Sequence, residues 1–475
     1  MMKRTISLAI LLTAFIFSAQ AQKFLTLEDC MKIAEENALT LKQAQMLIQT
    51  AEINLKEAKM SRLPSLNGSV SGGLQLGRTI DPTTNDFGTQ EIGYNSISLS
   101  SGLSLFSGGR INSTVRQGKY NLEAAVFDGE DAYNNLGLTL ATMFLQVMLS
   151  EDQLANAQNQ VRVTEDQYEQ SKKLADAGVI PVNDLLDIEA QLALNQQSVL
   201  IAQGNLEVAQ LTLIQLLELD PNESIRLVRP EIEIPVEDPM RISLEQVFQT
   251  ALGSQPSIKA NEYRLKSAEE SIVQARSFGI PQLSIFGGMS SNWSSLGVQV
   301  DGFEDLVAPF EVFDGNGQAF TFFIPQQVPI LSDQAYMDQL NQNFGQSVGL
   351  SLSVPVFNGL RTHYGVQRAK LNAKNQKLIN TQQRNQLKTD IQTALIQART
   401  SKLAYYASEK AFQAANVAYE NATKRFELGV VNTLELNTSR NLRDRAELDL
   451  LNAKYQYIFN MKVLDFYMGR GLTLN

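Results

Sequence analysis

Residues that usually carry chemistry are scarce in this chain. Among 475 residues there is one cysteine, Cys30, and one histidine, His363. A single cysteine cannot form an internal disulfide, and these two residues cannot supply the Cys and His ligands of a zinc site. A glycine-rich phosphate loop and a nucleophile elbow are also missing. We therefore expect no metal, no cofactor and no catalytic residues, and predict that the protein is not an enzyme.

Long apolar runs and an excess of positive charge are missing as well. After residue 21 no run of 18 or more apolar residues occurs, so we expect no transmembrane helix. The net charge of −10 argues against a nucleic-acid partner. The one short apolar run, 6–17, follows a basic start and precedes small residues, which is the pattern of a signal peptide (1–21) cleaved between Ala21 and Gln22. The mature protein is predicted to be exported.

The chain contains two copies of one unit. Residues 25–66 align without gaps on 242–283, and residues 97–217 align on 348–468. The offsets of the two alignments differ by 34 residues, all inserted in the second copy. A duplication of this size predicts a pseudo-symmetric object. We divide the chain into the signal peptide, a first repeat (22–219), a linker or equatorial region (220–241) and a second repeat (242–475) with an enlarged outer loop at about 294–343.

Proline is absent from two long stretches, residues 110–177 and 361–428, and glycine is rare in them. Their apolar residues recur at three- and four-residue steps, which predicts helices about 100 Å long. Each stretch ends at a glycine, Gly178 or Gly429, in the position of a helix C-cap. Helices of this length need partners along their whole length, as in coiled coils.

Shorter helices flank each long one. An opening helix is predicted over residues 27–60 and 244–277, and a returning helix of about 36 residues follows each glycine turn, with Asn183 or Thr433 as its N-cap. The opening and returning helices, placed end to end, match the long helix in length. Each repeat is therefore predicted to be a long helical hairpin with one continuous arm and one arm in two pieces.

Aliphatic residues alternate with serine and glycine before each long helix. Ile97, Leu99 and Leu103 alternate with Ser98 and other small residues, and the same pattern returns at 348–356. Period-two patterning is typical of half-buried strands. Runs of about 10 residues fit a tilted transmembrane strand, but also one sheet of a soluble sandwich. With the weaker runs that precede them, they predict four strands per chain.

Four strands cannot close a barrel, and open sheet edges leave backbone groups unsatisfied in lipid. If these strands cross a membrane, several chains must pool them into one barrel. Exported barrels of this kind belong to an outer membrane. Helices about 100 Å long below such a barrel would reach into the periplasm.

In these features the chain resembles the TolC, or outer membrane efflux protein, family. The resemblance rests on the duplicated layout, on the strand-to-helix passages Phe-Ser-Gly-Gly-Arg (106–110) and Pro-Val-Phe-Asn-Gly-Leu-Arg (355–361), and on the glycine turns. It implies an α+β membrane protein whose duplicated helical hairpins form an α-barrel. Its four strands would contribute to a trimeric, twelve-stranded transmembrane β-barrel.

The same resemblance implies a function and partners. The homotrimer would be the outer membrane channel-tunnel of a tripartite efflux or type I secretion system. It would act as a passive exit duct for small molecules or proteins. A periplasmic adaptor (membrane fusion) protein and an inner-membrane RND or ABC transporter are the implied partners, together with outer membrane lipids. Gly178, Val179, Gly429 and Val430 match the periplasmic tip turns, where the adaptor is expected to dock.

The resemblance also points to residues at the periplasmic entrance. Asp184 and Glu435 lie six residues after the tip glycines, at positions that face the entrance in the family. In a trimer they would form a ring of carboxylates that attracts cations, although both also suit the first turn of a helix, where acids complement the dipole. Positions expected to hold a tyrosine, an arginine and a second acid hold Phe426, Val431 and Thr438 instead. We therefore expect Phe426 and Val431 to close the entrance by packing.

Two other classes remain open at this point. An exported coiled-coil structural or adhesive protein would explain the helices but not the alternating strands. A simple diffusion porin would explain the strands but not helices about 100 Å long. The transported substrate does not follow from the sequence.

Overall fold

The structure, a computed structural model, describes most of the chain. The described residues are 23–77, 79–80, 87–88, 91–223, 225–230, 234–313, 315 and 317–470. The predicted signal peptide, with its cleavage site between Ala21 and Gln22, lies outside them.

Helices make up most of the described chain. They are α1 (Leu27–Asn37), α2 (Leu39–Met60), α3 (Arg110–Asp176), α4 (Val182–Leu216), α5 (Leu244–Ser254), α6 (Pro256–Ser277), α7 (Tyr336–Gln342), α8 (Arg361–Glu427) and α9 (Thr433–Tyr467). The long helices α3 and α8 have 67 residues each, and the returning helices α4 and α9 have 35 each. The predicted long helices and the predicted returning helices are both confirmed. None of the helices described is both long and apolar enough to cross a membrane.

The opening helices differ from the prediction, because each is broken into two. The first is interrupted at Ala38 and the second at Gln255, which are equivalent positions of the two repeats. Pro256 explains the second break, since a proline disfavours the helical conformation in the residue before it. The first copy has no proline there; Ala38 has ψ 121° and is buried in the core.

The remaining regular elements of the described residues are strands. They are β1 (Lys23–Leu25), β2 (Ser65–Gln75), β3 (Thr79–Ile80), β4 (Phe87–Gly88), β5 (Ile92–Phe106), β6 (Ile225–Leu227), β7 (Gln282–Ser294), β8 (Val298–Phe313), β9 (Ala319–Asp333) and β10 (Gly345–Ser353). The chain separates into two compact units. A helical unit comprises Met1–Ile53, Lys119–Ser267 and Ala373–Asn475, and a strand unit comprises Asn54–Gly118 and Ala268–Asn372.

The strand unit contains the four predicted strands as one antiparallel sheet, in the order β10-β7-β5-β2. The pairing register puts Leu66, Ile97 and Leu99 on one face, together with the other aliphatic residues of the alternating runs. The opposite, polar face carries most of the serines, among them Ser69 and Ser98, whose hydroxyls are 2.7 Å apart. Predicted alternation and observed faces agree along all four strands.

Two aromatic residues near the ends of the strands, Trp293 and Tyr94, lie on different faces. Trp293 is on the apolar face, where its ring lies 5.7 Å from that of Tyr336. Tyr94 is on the polar face, and its ring covers Gly73 on the neighbouring strand. Only Trp293 therefore has the position that an aromatic girdle facing lipid requires.

The enlarged second loop is a regular element rather than an irregular loop. β8 and β9 pair with each other as an antiparallel hairpin, with a bulge between Val300 and Gly302. The short helix α7 follows it. At the base, Gln334 N–H donates to the Gly297 carbonyl at 3.0 Å, and the buried amide of Gln339 accepts from Ser294 N–H at 3.0 Å.

The helical unit has two hydrophobic clusters. One surrounds Cys30 and Phe144 and includes the parallel pair β1–β6, which the sequence did not predict. The other surrounds Ile391 and Tyr457. α9 contributes to both clusters and so ties the two repeats together. Cys30 is fully buried, and burial raises the pKa of its thiol to about 12, as expected for a free cysteine packed in a core.

Candidate functional site at the two glycine turns

Both long helices of the chain end in the same hydrogen-bonded turn. Gly178 has φ +74° and Gly429 has φ +70°, a left-handed conformation that favours glycine. After α3, Val179 N–H donates to the Leu174 carbonyl at 2.8 Å, and Gly178 N–H donates to Ala175 at 2.9 Å. The same two bonds recur after α8. This is a Schellman motif, and it confirms the predicted glycine caps.

The starts of the returning helices differ from the prediction. Residue 181 is the N-cap of α4, and as a proline it makes no side-chain cap bond. Asn432, not Thr433, caps α9, and its side chain accepts from Glu435 N–H at 3.0 Å. Asn183 is therefore the second residue of α4 and Thr433 the first residue of α9, and neither is a cap.

The structure brings the two acidic positions to one end of the helical unit. Thr433 Oγ1 donates to Asp184 Oδ2 at 3.4 Å, which joins the first turn of α9 to the first turn of α4. Glu435 forms an ion pair with Arg425 at 2.9 Å. The residue of the first repeat equivalent to Arg425 is Leu174, and Asp184 forms no ion pair with the described residues. The two acids are equivalent in sequence but differ in electrostatic surroundings.

Large apolar side chains surround both turns and are exposed. They are Val179, Val182, Leu428, Val430 and Leu434. Single exposed apolar residues are ordinary, but here five of them lie within a few residues of the two glycine turns. Phe426 and Val431 are half-buried.

A buried polar layer lies further along the same helices. Asn195 donates to Thr164 Oγ1 at 2.8 Å, and Arg440 Nη1 donates to the same oxygen at 3.4 Å. The side chain of Arg440 is 1% exposed, and its Nε and Nη2 have no partner among the described residues. Nearby, Arg443 pairs with Asp444 at 2.5 Å; burial raises the pKa of Asp444 although Arg443 opposes the shift. The layer ties α3, α4 and α9 together at one register.

Two of these features were not predicted. The Arg425–Glu435 pair spans ten residues across the turn, a separation that helix periodicity does not single out. The polar layer gives no sequence signal, because isolated polar residues on long helices normally face water. Within the described ranges, no group of His, Cys, Asp or Glu is arranged to hold a metal ion.

Duplicated helical hairpins with Schellman turns, together with one two-faced antiparallel sheet, define a class of α+β proteins. The chain belongs to the outer membrane efflux protein family, whose model matches residues 31–218 and 247–470. It is therefore an outer membrane protein of a transport family. The predicted family, fold class and location are confirmed.

Individual relatives agree with this assignment. The chain is 30% identical over 193 residues to the outer membrane protein TolC of Salmonella enteritidis, and 26% identical over 188 residues to TolC of Escherichia coli K12. These matches cover 38% of this chain in each case, and only 39% and 38% of the two relatives.

Solved structures extend the likeness in fold to nearly the whole chain. The crystal structure of CusC superposes with a TM-score of 0.74 at 18% identity, covering 95% of this chain and 94% of that one. The Campylobacter jejuni CmeC outer membrane channel gives 0.72 at 19% identity, covering 93% and 85%. At such identities the likeness establishes the fold alone.

Proposed function

We propose that three copies of this chain form a passive exit channel through the outer membrane, as the outer component of a tripartite efflux or type I secretion system. The observation that carries the proposal is the sheet. It has one apolar and one polar face, and its edge strands β10 and β2 are antiparallel to each other. The β2 strand of one copy can therefore pair with β10 of the next, and closure satisfies the open edges in lipid. Three copies give twelve strands with a polar lining.

The glycine turns are the proposed docking site for a periplasmic adaptor protein. Gly178, Val179, Gly429 and Val430 lie at the ends of the hairpins, and the exposed valines give an apolar surface to a partner. An inner-membrane RND or ABC transporter would deliver the small molecules or proteins that leave through the channel. Asp184 and Glu435 would form the acidic ring of the entrance.

The entrance is proposed to be closed by packing of Phe426 and Val431. Phe426 lies in the last turn of α8, and its carbonyl accepts a hydrogen bond from Gly429 N–H at 2.9 Å. The glycine turn therefore fixes the backbone of Phe426. Replacing Phe426 by Ser should raise single-channel conductance in planar bilayers, whereas Phe426→Leu, which keeps the apolar volume, should not. Equal conductance of Phe426→Ser and the unmodified protein would rule out closure by this side chain.

The test of the channel proposal uses two adjacent residues of β10. Leu350 lies on the apolar face and Ser351 on the polar face. If the apolar face meets lipid, Leu350→Lys costs up to roughly 2–4 kcal/mol per chain near the bilayer midplane. We expect Leu350→Lys to lose assembly in the outer membrane and Ser351→Lys to assemble.

The readouts are purification from outer membranes in detergent, negative-stain electron microscopy and planar bilayers. The unmodified protein should give three-fold particles with channel activity, and Ser351→Lys channels should become less cation-selective. Monomeric particles without conductance would overturn the proposal. Equal tolerance of both lysines would show that the apolar face does not meet lipid.

A further inference from the structure

Phe286 is out of place on the polar face of the sheet. Apart from Ile92 and Tyr94, at the start of β5, the other residues on that face are Ser, Gly, Asn and Gln. Phe286 lies within β7, opposite Gly349 on one side and Gly102 on the other. Its side chain is 46% exposed. The face thus has one apolar ring, per chain, within a neutral polar surface.

Gly349 sets the orientation of this ring. A Cβ atom built on Gly349 would lie 2.6 Å from Phe286 Cζ and 3.1 Å from Cε1, so the ring lies directly over the glycine. A Cβ built on Gly102 meets nothing within 4 Å. The ring therefore leans toward β10 and lies against the sheet. An aromatic ring over a strand glycine restores packing that the glycine lacks, but this role does not require the other side of the ring to be exposed.

We propose that Phe286 is a contact site for substrates that carry aromatic rings or hydrophobic cations. This inference rests on the proposed function, in which the polar face lines the passage and three copies of the ring surround it. The residues of the polar face carry no charge, so no ionic partner competes there for a passing cation. The face of an aromatic ring attracts cations and stacks with other rings. Because the ring lies flat, it presents this face to the passage.

The test is current block in planar bilayers by tetraphenylphosphonium, with tetramethylammonium as a cation of equal charge without rings. Tetraphenylphosphonium should block the unmodified channel more tightly than tetramethylammonium. Phe286→Ser should weaken its block by roughly two- to five-fold, and Phe286→Tyr should retain it. Block by tetramethylammonium should change in neither variant.

Glycine variants give a second route if Phe286→Ser does not assemble. Gly349→Ala displaces the ring from the sheet, so that its edge rather than its face meets the passage, and tetraphenylphosphonium block should weaken. Gly102→Ala is the matched control and should behave as the unmodified protein. Block that is unchanged in both Phe286→Ser and Gly349→Ala, or equal for the two cations, would overturn the inference. Absence of channels in the unmodified protein would instead overturn the proposed function.

Discussion

Asp184 and Glu435 occupy equivalent positions of the two repeats, but among the described residues only Glu435 forms an ion pair. An ion pair that is about half exposed contributes only ~0–1 kcal/mol to stability, yet Arg425 still offsets the charge of Glu435 locally. Asp184 faces Thr433, a neutral hydroxyl, at 3.4 Å. The two acids should therefore contribute unequally to the electrostatic field at the proposed entrance.

We predict that Asp184→Asn lowers cation selectivity more than Glu435→Gln does. The measurement is the reversal potential of single channels in a salt gradient. Arg425→Gln is the matched control: it frees the Glu435 carboxylate and should increase cation selectivity. Equal reversal potentials for all three variants and the unmodified channel would mean that these residues do not line the entrance.

At the scale of elements, the passages from strand to long helix show the duplication most directly. In the first copy Gly109 has φ +84°, and its carbonyl accepts from Ser113 N–H at 3.0 Å at the start of α3. In the second copy the equivalent residue is Leu360, with φ +60° and a bond from Tyr364 N–H, also at 3.0 Å. The backbone conformation is retained although glycine is not. A side chain in this conformation costs roughly 1–2 kcal/mol.

Leu360→Gly is therefore predicted to stabilise the protein. The gain should be about 1 kcal/mol or less, because the added flexibility of glycine in the unfolded chain offsets part of the relief. The midpoint of heat-induced unfolding in detergent measures it. The reverse change in the first copy, Gly109→Leu, should lower the midpoint. A lower midpoint for Leu360→Gly would show that the leucine side chain makes contacts that outweigh its backbone strain.

The sequence predicted long elements well and their interruptions poorly. Helices of 67 residues and four alternating strands are periodic over many residues, so single exceptions do not hide them. The break at Ala38 has no local signal, because the sequence around it contains neither proline nor glycine. The hairpin of β8 and β9, in contrast, did have a local sequence signal. The residues Asp-Gly-Asn-Gly at 314–317, between runs rich in Val, Phe and Ile, form a sequence typical of hairpin turns.

Some features of the candidate site could likewise be predicted from the sequence, and others could not. Gly178 and Gly429 were predictable, because a left-handed C-cap favours glycine whatever surrounds it. The partner of Glu435 and the buried position of Arg440 depend on which helix faces meet, and helix periodicity alone does not specify that. Asn432 was missed as a cap by one residue, which is the ordinary uncertainty of a helix boundary.

At the scale of the whole molecule, the two repeats differ most in what joins their strands. The described part of the first connection holds only the short pair β3–β4, whereas the second contains a hairpin with strands of 16 and 15 residues. The hairpin carries Pro309, Pro325 and Pro329. Proline cannot donate to a sheet and blunts the edge of a strand. The hairpin is therefore suited to remain a two-stranded ribbon rather than to extend the four-stranded sheet.

It follows that the hairpin can be removed without loss of assembly. Gln334 N–H and the Gly297 carbonyl are hydrogen-bonded at 3.0 Å, so a short glycine linker can replace residues 298–333. The base of the connection is held by α7, where Asn343 donates to the Asn292 carbonyl at 2.8 Å and Gln339 accepts from Ser294 N–H. We expect the shortened protein to reach the outer membrane and form the same oligomer, measured by electron microscopy and by heat-induced dissociation on gels.

Gln339→Ala is the matched control for this deletion, because it keeps the hairpin and removes the buried acceptor of Ser294 N–H. Removing this buried hydrogen bond costs roughly 0.5–1.5 kcal/mol, so Gln339→Ala should lower the dissociation temperature while the deletion should not. If the deletion abolishes the oligomer and Gln339→Ala leaves it intact, the hairpin itself joins the copies. The four-stranded sheet would then be insufficient for assembly, and the strand pairing between copies proposed above would need revision.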